Sequence, residues 1–230
     1  MKKILIFLLL IASLTANATV WHIATTGNDG TGDGTEGTPW LTLAYAISQA
    51  SSGDSIYITA GTYDIGTQVD LPVGISIYGA GATSILNATA ALNPLIELSS
   101  ATQGTEGNQS ISYLKIDGNG LTGVRAVLVN FRSNVIIHDV TVQDFTTKGI
   151  DFDGVSTGEP STYSSGNKIY NCVFTNTATR SGAIVACGQS GMEIYDNVLT
   201  GYQRALGHDV VLVGMVGGYN KGMDFHDNIL

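Results

Sequence analysis

Four segments after Asn134 repeat one pattern, and a chain that repeats at this interval can fold in few ways. They are Val135–Val142 (VIIHDVTV), Asn167–Phe174 (NKIYNCVF), Met192–Leu199 (MEIYDNVL) and Met223–Leu230 (MDFHDNIL). Aligned on the ring position, they put His138, Tyr170, Tyr195 and His226 in one column, separated by 32, 25 and 31 residues. A period of about 20–50 residues with strands inside each unit is the signature of a solenoid, in which each unit buries its apolar face only against its neighbours.

The pattern inside a unit reads as strand, one-residue bend, strand. Ile137, Ile169, Ile194 and Phe225 are apolar, as are Val142, Phe174, Leu199 and Leu230. Between them, Asp139, Asn171, Asp196 and Asp227 occupy the bend, where Asp and Asn tolerate left-handed backbone angles and bond their own backbone. Asn197 and Asn228 align with Val140 and Cys172. Asparagines stacked at one position can bond to each other from coil to coil. Each unit then continues to a second apolar segment: Gly149–Phe152, Gly182–Val185 and Arg204–Leu206. Earlier, Ile75–Tyr78 and Ile111–Ile116 alternate as strands, and Ile56–Ile58 is expected as the first strand. Without helices between the strands a doubly wound fold is excluded, and unequal spacing argues against a propeller. The expected fold is all-β: a parallel β-helix with one coil per unit.

Composition agrees. Hydrophobic residues make up 43% and charged residues 13%, so the chain is not a disordered acidic tail. The 29 glycines have no three-residue period and only 4 prolines accompany them, which suggests tight turns rather than collagen. The sequence stops in mid-repeat with no polar cap, so further coils are expected beyond residue 230.

Lys2 and Lys3, the apolar run Ile4–Ala12 and the small-x-small site Ala16-Asn17-Ala18 form a secretory signal. The apolar run is too short to span a bilayer. Residues 1–18 are therefore expected to be removed, leaving a secreted chain that begins at Thr19. Removal takes two lysines and no acids, so the net charge of -9 becomes -11. That excludes nucleic acid as a partner by bulk electrostatics. No later stretch suits a membrane span, and a monomer is expected. Cys172 and Cys187 sit in apolar runs and read as two buried thiols, although export would permit a disulfide.

The stretch Thr25–Tyr63 (TTGNDGTGDGTEGTPWLTLAYAISQASSGDSIYITAGTY) begins like a calcium loop. Counted from Asp29, however, the twelfth position is Trp40 and the bidentate glutamate is missing. Asp29, Asp33 and Glu36 remain a weak ion-site candidate within a flexible glycine-rich lead-in. Thr38 suits an N-cap and Pro39 a first helical turn. Leu43, Ala44, Ile47 and Ala50 would then form the buried face of a helix ending near Gly53.

Gly27-Asn28-Asp29, Gly37-Thr38-Pro39-Trp40, Thr42–Ala50 and Gly53–Tyr63 together resemble the N-terminal module of the pectate-lyase-like superfamily. The resemblance implies a right-handed, single-stranded parallel β-helix with an N-terminal capping α-helix. Residues 19–60 would be the cap and first strand, and 61–230 the coils. The superfamily includes lyases, hydrolases, epimerases, tailspikes and surface proteins. Its exported enzymes imply an acidic polysaccharide as partner. Their lyases need a Lys or Arg base and a cation or Arg to neutralise the uronate carboxylate.

On that expectation the sparse cations become candidates. Lys148, Arg180 and Arg204 each precede a following strand and would stack in one column, with Arg125 extending it. Lys148 or Arg180 is the candidate base, and Arg204, Arg125 and Tyr202 are candidate substrate contacts. As a simpler alternative, the column is a set of solvated turn residues. Asp151 and Asp153, two apart on a strand, share a face. They could hold calcium, the one cofactor considered, or be exposed edge acids. The Asn-Thr-Asp, Asp-Asp, Gly-His-Gly and Arg-Ile-Lys signatures of the hydrolase branch are absent. His208-Asp209 lacks the Asp-Pro that precedes it in uronate epimerases. His138 and His226 share a column with tyrosines, which favours packing over catalysis. Two functions follow: a polysaccharide lyase on a uronate glycan, or a non-catalytic glycan-binding or structural surface protein.

Overall fold

The structure is a computed structural model that describes residues 18–155, 158–179, 182–204, 211–213 and 219–229; for 176–179, 201–204 and 211–213 it describes the backbone only. The chain winds into a parallel β-helix. Its main sheet runs through β1 (Val20–Ile23), β2 (Ser55–Ile58), β5 (Ser76–Gly79), β8 (Thr105–Asp117), β10 (Arg132–Gln143), β13 (Lys168–Tyr170), β17 (Glu193–Tyr195) and β20 (Asp224–His226). β3 (Gly61–Ile65), β6 (Ser84–Ala88), β14 (Val173–Thr179) and β18 (Val198–Arg204) continue it past the bend. The second sheet is β4 (Val69–Asp70), β7 (Ile96–Ser99), β9 (Val127–Asn130), β11 (Ile150–Asp153), β15 (Ile184–Ala186) and β19 (Val211–Val213). A short pair, β12 (Ser164–Ser165) and β16 (Gln189–Ser190), lies apart from both. The strand pairs are parallel in all three sheets.

The repeats dictate this. Ile56, Ile77, Ile111, Ile137, Ile169 and Ile194 stand in register on successive coils and are buried. Leu86, Ile116, Val142, Phe174 and Leu199 form a second interior stack. Each buried side chain contributes about 1.5–3 kcal/mol, and β-branched Ile suits the pleated surface. The bend is as expected: Asp139, Asn171, Asp196 and Asp227 have φ of 52–54°, the left-handed region. A second left-handed corner precedes β2, β5, β13, β17 and β20, at Gly53, Gly74, Gly166, Gly191 and Gly222, and recurs within β8 and β10 at Asn108 and Asn134.

The asparagine stack forms as well. Asn197 is fully buried; its Oδ1 accepts from Cys172 N at 3.0 Å and its Nδ2 donates to Asn228 Oδ1 at 2.9 Å. A second interior stack runs from Asn167 to Gln189 (2.7 Å) and on to Asn220 (2.8 Å). Cys172 and Cys187 are buried and not joined by a disulfide. Burial pushes the Cys172 thiol up to about 12.

Four expectations are corrected in detail. The first strand is β1, not Ile56–Ile58: Val20–Ile23 pairs in register with Ser55–Ile58. The helix α1 spans Leu43–Gln49 and its N-cap is Thr42, which accepts from Tyr45 N. Thr38 instead donates to Asp33, so Pro39 lies outside the helix. The buried side chains of α1 are Leu43 and Ala46, whereas Ala44 faces solvent, because the helix starts four residues later than Thr38 implied. Last, the glycine-rich lead-in is not a loose tether. His22 N donates to Gly34 O at 2.8 Å and Trp40 N to His22 O at 3.0 Å. A Cβ on Gly34 would lie 2.7 Å from the Trp40 ring, so its glycine is a packing requirement.

The acids of that loop serve the fold. Asp29 accepts from Leu41 N (2.8 Å), Thr42 N and Thr42 Oγ1. Asp33 accepts from Thr38 and Thr35, and these bonds hold its carboxyl down at about 2.

Candidate functional site

The outward face of the second sheet gathers most of the describable candidates. Three of its strands carry an apolar–acid–apolar triplet: Val69-Asp70-Leu71, Ile96-Glu97-Leu98 and Ile150-Asp151-Phe152. The apolar members are buried, so alternation turns the acids outward. Strand register aligns Asp70, Glu97, Leu128, Asp151 and Val185 in one column.

Asp151 is the centre of a cluster. Arg125 and Lys148 stand two residues before the paired Val127 and Ile150, so they are neighbours on adjacent coils. Ala126 N donates to Lys148 O at 3.1 Å and fixes that register. Lys148 Nζ lies 2.7 Å from Asp151 Oδ2, and Arg125 Nη1 lies 3.1 Å from the same oxygen. The Asp151 side chain is 1% exposed, against 18% for Arg125 and 16% for Lys148. Burial pushes the Asp151 carboxyl up, against the pull of both cations. Asp151 Oδ1 and Arg125 Nε are buried without a hydrogen-bond partner.

Asp153 lies on the same face, partly exposed, with its Oδ1 accepting from Gly154 N at 2.9 Å. The two carboxylates fit a calcium ion poorly: two cations already neutralise Asp151 through its Oδ2, so Coulomb repulsion would oppose a third, and its free Oδ1 is buried. Among the described residues, no three His, Cys, Asp or Glu side chains converge as a metal site.

The expected column of cations divides. Arg125 and Lys148 are together, but Arg204 ends β18 beside Thr179, in register with β14. Of the three second segments expected after the late repeats, the last does not begin at Arg204: that residue belongs to β18, and the strand that follows β15 in the second sheet is β19 at Val211–Val213. Similar offsets from the preceding repeat, six residues for Lys148 and Arg180 and five for Arg204, suggest a common column. The main-sheet strand, however, runs longer in these coils and keeps Arg204 within it. Tyr202 sits in the same strand, opposite Thr177. Arg180, His208 and Asp209 lie outside the described residues, as do residues 1–17 of the expected signal.

Asp70, Glu97, Gln68 and Arg132 were missed by sequence reasoning. Gln68 Nε2 donates to Asp70 Oδ1 and Glu97 Oε2, both at 2.6 Å, so one amide bridges two in-register acids. They border a cavity of about 330 Å³ that Arg132 also lines. Arg132 is 5% exposed and bonds Leu71 O (2.7 Å), Gln109 Oε1 (2.6 Å), Ser99 O and Ser100 Oγ. Burial lowers its proton affinity and the Glu97 charge opposes that. The recurring triplet was the signal that could have revealed the acids.

The main sheet's outer face carries the ring column. His138 stacks on Tyr170 at 4.9 Å, Tyr170 on Tyr195 at 5.0 Å and Tyr195 on His226 at 5.1 Å, with planes within 8° of parallel. His22, Tyr57 and Tyr78 extend the column on earlier coils. The rings cover one another's faces, which is the packing role expected for His138 and His226. Ser112 interrupts the column, and beside it Tyr113 takes the bend position with φ 52°.

Comparison with known proteins supports the fold and names a family. A family profile described as "Protein of unknown function (DUF1565)" matches residues 25–224. The chain belongs to this family. No curated protein matches this DUF1565 chain. A solved structure from Parabacteroides merdae ATCC 43184, provisionally named a glycosyl hydrolase, aligns with TM-score 0.55 and 13% identity over 81% of this chain and 84% of its own. ORF18 of Geobacillus virus E2 aligns with TM-score 0.50 and 15% identity over 80% of this chain and 48% of its own. A rhamnogalacturonan lyase aligns with TM-score 0.50 and 13% identity over 92% of this chain and 62% of its own. This DUF1565 chain thus spans under two thirds of the last two. At such identities the likeness is one of fold, and it agrees with the pectate-lyase-like resemblance of the sequence. Among the described residues no helix is long and apolar enough to cross a membrane.

Proposed function

We propose that the protein acts on carbohydrate after export, as a lyase on an acidic, uronate-containing polysaccharide. One observation supports this most: in a chain of net charge -9, two cations of adjacent coils, Arg125 and Lys148, are fixed side by side on one buried carboxylate. Their partly exposed side chains form a place where a uronate carboxylate would be neutralised. Neutralisation acidifies the adjacent C–H. A base takes that proton, the C–H pair becomes a C=C bond, the glycosidic C–O bond breaks, and the leaving oxygen takes up a proton. Lys148 donates to Asp151, so it suits charge neutralisation better than proton abstraction. The base is then sought at Arg180. The likeness of fold to a rhamnogalacturonan lyase is consistent with the reading but does not carry it.

The test is the ultraviolet absorbance of the new double bond on polygalacturonate and alginate, with retardation in gels containing the same polymers. Arg125→Gln and Lys148→Gln should each lower turnover and retardation at least about tenfold, the size of one lost charge-assisted contact. Unchanged retardation removes the site. Retardation without any absorbance rise makes the protein a glycan-binding module instead.

A further inference from the structure

The strongest unassigned feature is the carboxylate that fastens the first strand. Asp54 is 7% exposed. Its Oδ2 accepts from Ser51 N at 2.9 Å and Trp21 Nε1 at 3.0 Å, and its Oδ1 accepts from Thr19 N at 2.8 Å. All three donors are neutral groups. Burial pushes the Asp54 carboxyl up, but the Ser51 and Thr19 amides and the Trp21 indole outweigh it and hold it below the ordinary value. A buried carboxylate with neutral donors only lacks the partner that would best offset its desolvation.

The sequence places a cleavage rule at the same atom. Ala16-Asn17-Ala18 directs hydrolysis to the Ala18–Thr19 bond. We infer that this bond is a processing site and that the α-ammonium released at Thr19 is the ion-pair partner of Asp54. Water adds across the amide, Ala18 leaves as a carboxylate, and the Thr19 nitrogen becomes –NH₃⁺. That nitrogen already sits at the length of an N⁺–H···O⁻ bond. Thr19 is also held from its other side, because Ser55 N donates to Thr19 O at 2.9 Å. Cutting one bond earlier or later would leave the charge outside this frame. Processing would therefore complete the cap of the β-helix, where Trp21 stacks on Trp40 at 5.0 Å.

The pH consequence follows from the sign of the pairing. An α-amino group has an ordinary value near ~7.7–8.0, and a carboxylate partner raises it in the fold. The added stability is then fully present below about 8 and lost as pH rises through the raised value. Thr19 just before β1, Trp21 in β1 and Ser51 in the turn after α1 face Asp54, and no charged group contributes to its shift.

The experiment starts with the intact mass of the exported full chain, which should begin at Thr19. Purified chains beginning at Thr19 and at Ala18 are then compared by urea unfolding and Trp fluorescence across pH 6–11. The Thr19 form should show a folding constant about tenfold larger at neutral pH, the excess expected of a charge-assisted over a neutral bond. The excess should disappear above the amine's titration and in Asp54→Asn, and the fluorescence of the Thr19 form alone should titrate there. Should Asp54→Asn fail to fold, Nα-acetylated Thr19 chains keep Asp54 and should match the Ala18 form. A mature chain beginning elsewhere, or equal stability of the Thr19 and Ala18 forms, overturns the inference.

Discussion

Replacing Asn197 by Ala should be among the costliest single changes in the coils. Asn197 is fully buried, and its amide satisfies two backbone groups that water cannot reach. It accepts from Cys172 N at 3.0 Å and donates to Ile169 O at 3.1 Å, besides bonding Asn228 Oδ1. Alanine leaves that N–H and that C=O without partners in the interior. Each orphan costs about 1–3 kcal/mol, and the small cavity adds to it, for a total of about 3–5 kcal/mol. Asn228 repeats the role one coil on, accepting from Asn197 N and donating to Ile194 O, but is only half-buried, so Asn228→Ala should cost less, about 1–2 kcal/mol. Urea unfolding gives the totals. Amide hydrogen exchange should show lost protection concentrated at Cys172 and its neighbouring coils, because each unit contacts only its neighbours. A loss under about 1 kcal/mol for Asn197→Ala, with Cys172 N still protected, would refute the reasoning.

Tyr113 holds φ 52° at a bend where aligned coils use Asp or Asn; Tyr113→Asn should raise the melting temperature by about 2–4 °C in calorimetry, for about 1 kcal/mol of relieved strain. A Cβ on Gly149 would lie 2.3 Å from Ala183 O on the next coil, so Gly149→Ala should lose about 2–3 kcal/mol in urea unfolding by forcing the coils apart. The Asp54 carboxyl is held below its ordinary 3.8. Its contribution is therefore present above that value and lost as pH falls through the lower folded one. Acid titration followed by Trp fluorescence should show the cap loosening at that step in the wild type and not in Asp54→Asn.

The late repeats were legible because one coil there is one sequence unit. His138, Tyr170, Tyr195 and His226 fall into column by simple alignment, and Ile169 or Asn197 states its depth by position. The early coils were less so, since β3, β4 and β6 share no motif and only strand register relates Asp70 to Glu97 and Asp151. Register also explains the error over Arg204: similar offsets in sequence do not fix which strand a residue ends in. Asp151 and Asp153 look equivalent in sequence, yet one is buried between Arg125 and Lys148 and the other is partly exposed. That difference arises from the coil below, which supplies Arg125. Thr38 and Thr42 were both plausible caps, and Asp33 decided between them by taking the Thr38 hydroxyl.

The most direct measurement of the functional claim is the absorbance of unsaturated product when the exported protein meets polygalacturonate or alginate, with Arg125→Gln and Lys148→Gln in parallel. The account predicts a rise for the wild type that falls at least about tenfold in either variant. Equal rates for wild type and both variants, or no rise on any polyuronate, would contradict it.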